Sequence, residues 1–457
     1  MAGAAGDGMV LVAGGVVANG GTAAGAAMIE GLVGVYAGAG GAATVTNFGT
    51  IDGTGGTSVQ FANAADRLVV EAGSAFVGQV KGGGGALELA GGAGTIAGLG
   101  GAGTLSGAAS ASFSGFGTYK IDGGASWTIA GSGALAAGQS LSVANGGTLS
   151  LSGAIANAGT LALAGTKKGK TQLVLSGNAT LAGGGRLDLG NSVKDSVIGT
   201  SGATTLTNQD NTIVGGGSLG GGRLTLINGA AGVIDATAAT ALTLDTGAKK
   251  VVNAGLIEST GKGGLVIAGA VVNTGTLAAM GGNLTVMGAV TGAGGARIDG
   301  GVLDFASGFN QAVSFTGKSG VLELANSQTY TAAVSGFSKT GGTALDLVDI
   351  AFVSASEATF SGTKTGGVLT VTDGIHTATI NLVGNYTNAT FVCADDLHGG
   401  VTIVDPPAAA AARPPPHAFI AAMAGMAAPA RVDLHSGSGA HRTVPAMLAA
   451  GRRHFAP

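Results

Sequence analysis

The sequence predicts an all-β chain wound as a single right-handed parallel β-solenoid (a β-helix), with an antiparallel C-terminal cap and a largely disordered Ala/Pro/Arg-rich tail. Three observations predict it. All eight prolines of the 457-residue chain fall at or after Pro406, so the first 405 residues keep every backbone N–H, as continuous sheet ladders require. A unit of leucine, any residue and a second apolar residue recurs thirteen times, at Leu87, Leu149, Leu161, Leu173, Leu187, Leu224, Leu242, Leu265, Leu284, Leu303, Leu322, Leu345 and Leu369. Finally, 91 Gly stand against one Trp, four Tyr and fourteen Phe, so the interior must be narrow and built from small and branched aliphatics.

The elements follow in chain order. From Met9 to Ile29 the chain is uncharged, but glycines 14, 15, 20, 21 and 25 interrupt it and no Lys or Arg precedes it, so it reads as neither a signal peptide nor a membrane span. In each leucine unit the two apolar residues point to one face of a strand and the residue between them to the other. Ten of those thirteen intervening residues are polar, which is the alternation of a half-buried sheet. From Leu224 to Leu369 the units are 18 to 24 residues apart, about one solenoid coil. The closer spacings of 12, 12 and 14 from Leu149 to Leu187 fit two short strands on different faces of one coil. About fifteen to twenty coils are expected.

Corner units begin at Asn47, Asn145, Asn157, Asn253 and Asn273, each with Gly two residues on. Asn and Gly tolerate positive φ, so each copy reads as the turn before a strand. Stacked Asn would also permit a side-chain amide ladder; the turn reading is preferred on positional logic. Near the end, Gly367–Thr372 and Ile375–Val383 flank Asp373-Gly374 and predict a hairpin with a type I′ turn. Phe391–Val392 and Val401–Val404 offer a second antiparallel pair around Gly399-Gly400. The expected organisation is a solenoid over 1–333, last coils and antiparallel cap over 334–405, and a tail over 406–457. A short helix is expected near 418–428, where Phe419, Ile420, Met423 and Met426 have helical spacing.

Net charge is −3, so no global field recruits nucleic acid or an anionic membrane. The tail is basic, with Arg413, Arg431, Arg442, Arg452 and Arg453, and it carries four of the six histidines. No histidine precedes His376, which removes His-assisted catalysis and His metal sites from the first 375 residues. The dinucleotide-like run Gly98-Leu-Gly100-Gly-Ala-Gly103 lacks a βαβ context and is assigned to turns. In Gly183-Gly-Gly-Arg-Leu-Asp188, Arg186 replaces the glycine that a calcium-binding β-roll repeat needs. Asp395, Asp396 and His398 form a local group of metal-ligand residue types and read as a solvated turn; Cys393 reads as a small core residue. Lys167, Lys168 and Lys170 read as a solvated loop without an acid beside them, and Trp127 alone offers little for stacking sugars. No catalytic, cofactor-binding or metal site, and no cofactor, is expected.

The stretch 204–405, with TLTNQDNTIVGGGSLGGGRLTLINGAAGVIDAT, VVNAGLIEST, GGVLTVTDGIHTATINLVGNYTNATFV and DDLHGGVTIVDPP, resembles large repetitive surface or secreted proteins of alphaproteobacteria. Those are similar to autotransporter passengers and filamentous-haemagglutinin-type adhesins; residues 44–91 look alike. The resemblance implies an extracellular or cell-surface β-helix that is structural or adhesive rather than enzymatic, with host or neighbouring-cell glycans or proteins as partners, and it implies no catalytic residues. The export signal and translocator barrel of an autotransporter are not seen in the sequence, which leaves a truncated passenger, a separately exported protein or a substrate with a C-terminal secretion signal. The rival class is a polysaccharide-acting β-helix lyase or hydrolase, which needs clustered acids and cations on one face.

Overall fold

The computed structural model describes residues 6–22, 27–166 and 168–406. The tail from 407 onward, including the expected helix near 418–428, and Lys167 lie outside the described residues. Strand accounts for 56% of the described residues, in a parallel β-solenoid of about fifteen turns. The one helical element among the described residues is the short 3-10 turn Ser327–Thr329.

From residue 225 to about 305 each coil contributes three short strands, stacked in register on their counterparts in the neighbouring coils. One column runs Thr205–Asn208, Thr225–Asn228, Val251–Asn253, Val271–Asn273. The second runs Val233–Ala236, Leu256–Ser259, Thr276–Ala279, Gly295–Ile298, Ala312–Phe315. The third carries the leucine units: Leu242–Leu244, Leu265–Ile267, Leu284–Val286, Val302–Phe305, Gly320–Leu324, Thr343–Leu347. Strands this short are set by the glycines between them. Each leucine unit puts its two apolar residues inside and stacks them on the next, so Leu242, Leu265, Leu284, Leu303, Leu322 and Leu345 form one buried column. Burying a leucine stabilises the fold by roughly 2 kcal/mol, and repetition down the column supplies the core.

Earlier coils use longer strands that turn a corner within one element, such as Thr50–Phe61, Thr171–Ala182 and Arg186–Gly199. The close leucine spacings resolve there as expected: Leu149 stacks on Leu173 and Leu161 on Leu187, on two different faces. An unexpected feature interrupts the coils. Ala93–Ala97, Gly103–Gly107 and Ser110–Ser114 pair antiparallel, and the run 98–103 is their first turn, with Gly98 and Gly100 at positive φ. Phe113, Phe116 and Tyr119 pack against one another beside this insertion.

The cap is more extensive than a hairpin. Ala358–Thr363, Gly366–Thr372 and Thr377–Val383 form a three-stranded antiparallel unit, whose last strand pairs parallel with Ala333–Ser335. Val392–Asp395 and Val401–Val404 make the second antiparallel pair, and the latter strand closes on Thr343–Leu347. Two columns therefore end on cap strands. Leu369, the thirteenth leucine unit, belongs to this cap and does not mark a coil, and the 18-residue step from Leu224 to Leu242 joins two different columns of one coil. The turn at Asp373-Gly374 also differs from the type I′ expectation. Only Gly374 has positive φ, at 88°, and the loop spans 373–376, with the Asp373 carboxylate accepting from the Ile375 and His376 N–H groups at 2.7 and 2.6 Å. An Asp side chain that bonds the backbone two residues on substitutes for a second left-handed residue. Phe315, Phe337, Phe360, Tyr386 and Phe391 fill the junction between coils and cap, because a changing cross-section needs larger side chains than a regular coil does.

Candidate functional site

Of the corner-unit asparagines, Asn47, Asn157, Asn253 and Asn273 make side-chain amide contacts from coil to coil, which overturns the turn-only preference, whereas Asn145 accepts from the backbone of a neighbouring loop. Asn208, Asn228, Asn253 and Asn273 are fully buried at the same corner of successive coils. Each Nδ2 donates to the next Oδ1: Asn208 to Asn228 at 2.9 Å, Asn228 to Asn253 at 2.9 Å, Asn253 to Asn273 at 2.8 Å. Their amides also donate to corner carbonyls, such as Gly255 and Thr276 from Asn253. Asn19 and Asn47 repeat the contact at 2.8 Å near the first coils. Two rungs are glycine. Gly292 follows Thr291, the partner of Val272, so it stands opposite Asn273; there Gln311 reaches across from the following coil, accepting from Asn273 at 2.8 Å. A Cβ at Gly292 would lie 2.3 Å from the Asn273 carbonyl oxygen, at a φ of 105°. Gly183 occupies the same relation to Asn157, and Asn211 bridges it at 2.8 Å. The ladder is internal and holds the fold; it faces no ligand.

The chemistry-bearing surface cluster of the described residues lies elsewhere, on the face where Glu88 and Lys120 are cross-strand partners and Arg67 stacks one coil before. The Glu88 carboxylate, almost wholly covered, accepts from the Arg67 guanidinium and from Lys120 Nζ at 2.8 Å, and Lys120 also bridges to Asp122 at 2.7 Å. Burial pushes the Glu88 carboxyl up, but hydrogen bonds from Arg67, Asp122 and Lys120 more than offset it and hold the group down at about 2. Asp122 moves the other way, raised by burial and by its neighbour Glu88; Glu71 is raised by burial and by both acids. Two neighbouring carboxyls with protons held at different strengths are the arrangement that acid–base chemistry uses. Sequence spacing did not expose this group, since its members lie 21 and 32 residues apart and only coil stacking joins them.

A second acidic row comes from the same stacking. Asp304, Glu323 and Asp346 are the outward residues of three successive leucine units and lie in register. Burial, then repulsion from Glu323, Asp396 and Asp304, pushes the Asp346 carboxyl up to about 8. Asp195 is also buried and raised to about 6 by burial, but its niche is closed: a Cβ on Gly165 would sit 1.6 Å from Oδ1.

The residues singled out in the sequence behave mostly as structure. Asp395 Oδ1 accepts from the Leu397 N–H, and Asp396 Oδ1 from the His398 and Gly400 N–H groups, so both carboxylates bond a turn backbone. No group of three or more His, Cys, Asp or Glu among the described residues is arranged to hold a metal ion. Arg186 spans to Asp188 at 2.8 Å, occupying the acid that a calcium repeat would use. Trp127 is fully buried and presents no face to a sugar. Cys393 is buried, and burial pushes its thiol up to about 12, leaving it unreactive at neutral pH. Beside Lys168, Asn145 Oδ1 accepts from the Thr166 and Gly169 N–H groups. Two depressions, about 170 Å³ around Lys339, Asn385 and Asp405 and about 320 Å³ around Val233, Leu256 and Arg297, mark the surface. No protein-family description matches the chain, and no curated protein matches it significantly.

Proposed function

We propose that the chain is a non-enzymatic structural or adhesive β-solenoid of the cell exterior. The observation that carries this reading is the outer surface built by in-register stacking. Along the leucine-unit column the outward residues Ser218, Thr243, Val266 and Thr285 follow one another coil by coil, a flat strip of short and β-branched side chains. Such a strip offers broad, repeated contact rather than an enclosing pocket. The resemblance to repetitive surface proteins supports the same reading, with surface glycans or proteins as partners. No helix among the described residues is long and apolar enough to cross a membrane. Cell fractionation and a cell-attachment assay test it: the protein is expected on the surface or in the medium and to increase attachment. A strictly cytosolic pool overturns it.

The Arg67–Glu88–Lys120–Asp122 group favours one second reading, a polysaccharide-acting lyase or hydrolase. The group supplies opposite charges and two carboxyls of different proton affinity on one sheet face. Incubation with pectin, alginate and hyaluronan, following unsaturated or reducing ends, separates the classes. Turnover abolished by Glu88→Gln or Asp122→Asn would establish the enzyme; product no higher than in buffer is expected.

A further inference from the structure

Two loops at the capped end share one plan that neither the core nor the cap explains. In Asp373-Gly374-Ile375-His376 and Asp395-Asp396-Leu397-His398, the first Asp accepts from the N–H two residues on, at 2.7 and 2.8 Å. Each loop thereby holds an aliphatic side chain at its apex, followed by a histidine. Ile375 is 86% and Leu397 78% exposed, which with Val16 makes them the most exposed large apolar residues described. Leu397 is also the one described non-glycine residue at positive φ, 66°, a conformation unfavourable for a bulky side chain. Local strain of this kind is characteristic of binding sites.

The two apices belong to one surface. The segment 348–353 connects them: the Ala351 N–H donates to Asp373 of the first loop, and a Cβ on Gly400 of the second would touch Val348 at 2.8 Å. Val348 and Ala351 are three residues apart, at most about 11 Å. That segment continues past Ala351 to Phe352 and Val353, 37% and 63% exposed. The surround is acidic. Asp349, Glu357 and Asp395 lie at least partly exposed in or beside these segments, Asp373 and Asp396 are almost covered, and no Lys or Arg occurs in 344–363 or 365–406. His376, paired to Asp373 at 2.9 Å, and His398 are the histidines there.

We infer that this end is a docking surface for a cationic amphipathic polypeptide segment, with Ile375, Leu397, Phe352 and Val353 as apolar anchors and Asp349, Glu357 and Asp395 as its acidic rim. Charge selects the occupant. A second copy seated through the same patch would bring two acidic rims together, and an anionic lipid surface would be repelled, whereas Lys or Arg flanking an apolar stripe complements the patch. The inference deepens the adhesive reading and rests on it, but it is read by binding in solution, which fails separately from attachment to cells.

The test is fluorescence anisotropy of the full chain with a labelled helical peptide of about 18 residues, long enough to form a helix, with Leu on one face and Lys on the other. Saturable binding is expected, weakened by the Lys-to-Glu version of the peptide and by about 1 M salt, where the screening length is about 3 Å. Ile375→Ser with Leu397→Ser is expected to weaken it by about tenfold or more, with an unchanged circular dichroism spectrum because both side chains lie in solvent. Leu397→Asn, better suited to the left-handed φ, is expected to weaken binding while melting no lower than the parent. Absence of saturable binding, equal binding of the Glu peptide, or unchanged affinity of the variants would overturn the assignment. Binding to zwitterionic vesicles without peptide binding, or self-association abolished by the double variant, would overturn it in favour of a lipid surface or a second copy.

Discussion

At Asn253 one side chain serves three coils: it accepts from Asn228, donates to Asn273, and donates to carbonyls of its own corner and the next. A buried amide in such a chain is expensive to remove, because its neighbours keep their polar groups and lose their partners. Asn253→Ala is expected to cost about 2 kcal/mol, measured by urea unfolding. Asn253→Asp should cost more, since it faces the Asn273 oxygen with another acceptor and buries a charge. The reverse holds at Leu397, where the native residue is the unfavourable one. Leu397→Asn relieves a left-handed bulky residue and should stabilise by up to about 1 kcal/mol. A stable Asn253→Asp protein, or a Leu397→Asn protein that melts lower, would contradict these readings of the two residues.

Strands acquire their electrostatic character by stacking, since coil geometry places residue n beside its counterpart about 20 to 30 positions on. The strands Arg67–Val70, Ala86–Leu89 and Thr118–Ile121 thereby bring Arg67, Glu88 and Lys120 together, while Val302–Phe305, Gly320–Leu324 and Thr343–Leu347 align three acids. The two rows respond to pH with opposite sign. Glu88 is held at about 2 in the fold against 4.5 ordinarily, so its contribution is present above about pH 4.5 and is lost as pH falls toward 2. Asp346 is raised from 3.8 to about 8, so its contribution is full below about pH 3.8 and is lost as pH rises to 8. Melting curves should show Glu88→Gln flattening the acid limb and Asp346→Asn flattening the decline from pH 4 to 8. An Asp346→Asn protein with the parent slope over that range would refute the assignment.

For the molecule, the consequential feature is its closed end. A parallel coil stack leaves unpaired backbone groups on its last strands, a template for pairing with another chain. Here Thr377–Val383 covers Ala333–Ser335, and Val401–Val404 covers Thr343–Leu347. Deleting residues 358–457 uncovers both edges and should produce concentration-dependent self-association in sizing experiments. A truncated protein that stays monomeric at high concentration would mean that the cap has another purpose.

Much of this architecture was legible in the chain. The proline-free body, the leucine units and the Gly-punctuated strands dictate a parallel solenoid, because period 2 within a strand and about 20 between strands leave few other ways to bury one apolar column. The antiparallel end was legible from Asp373-Gly374 and the alternation around it. Sequence also named the Asn corners but ranked their roles wrongly, since whether Asn228 meets Asn253 depends on coil register, and Asn211 and Gln311 carry no corner motif at all. The insertion at 93–114 was hidden because antiparallel and parallel strands share one alternation. The Glu88 group, the Asp304–Glu323–Asp346 row and the joined apices of Ile375 and Leu397 belong to tertiary structure alone. Local pattern fixes which side of a strand a residue faces; only the winding of the coils decides which distant residue stands beside it, and charge, proton affinity and exposed apolar surface depend on that neighbour.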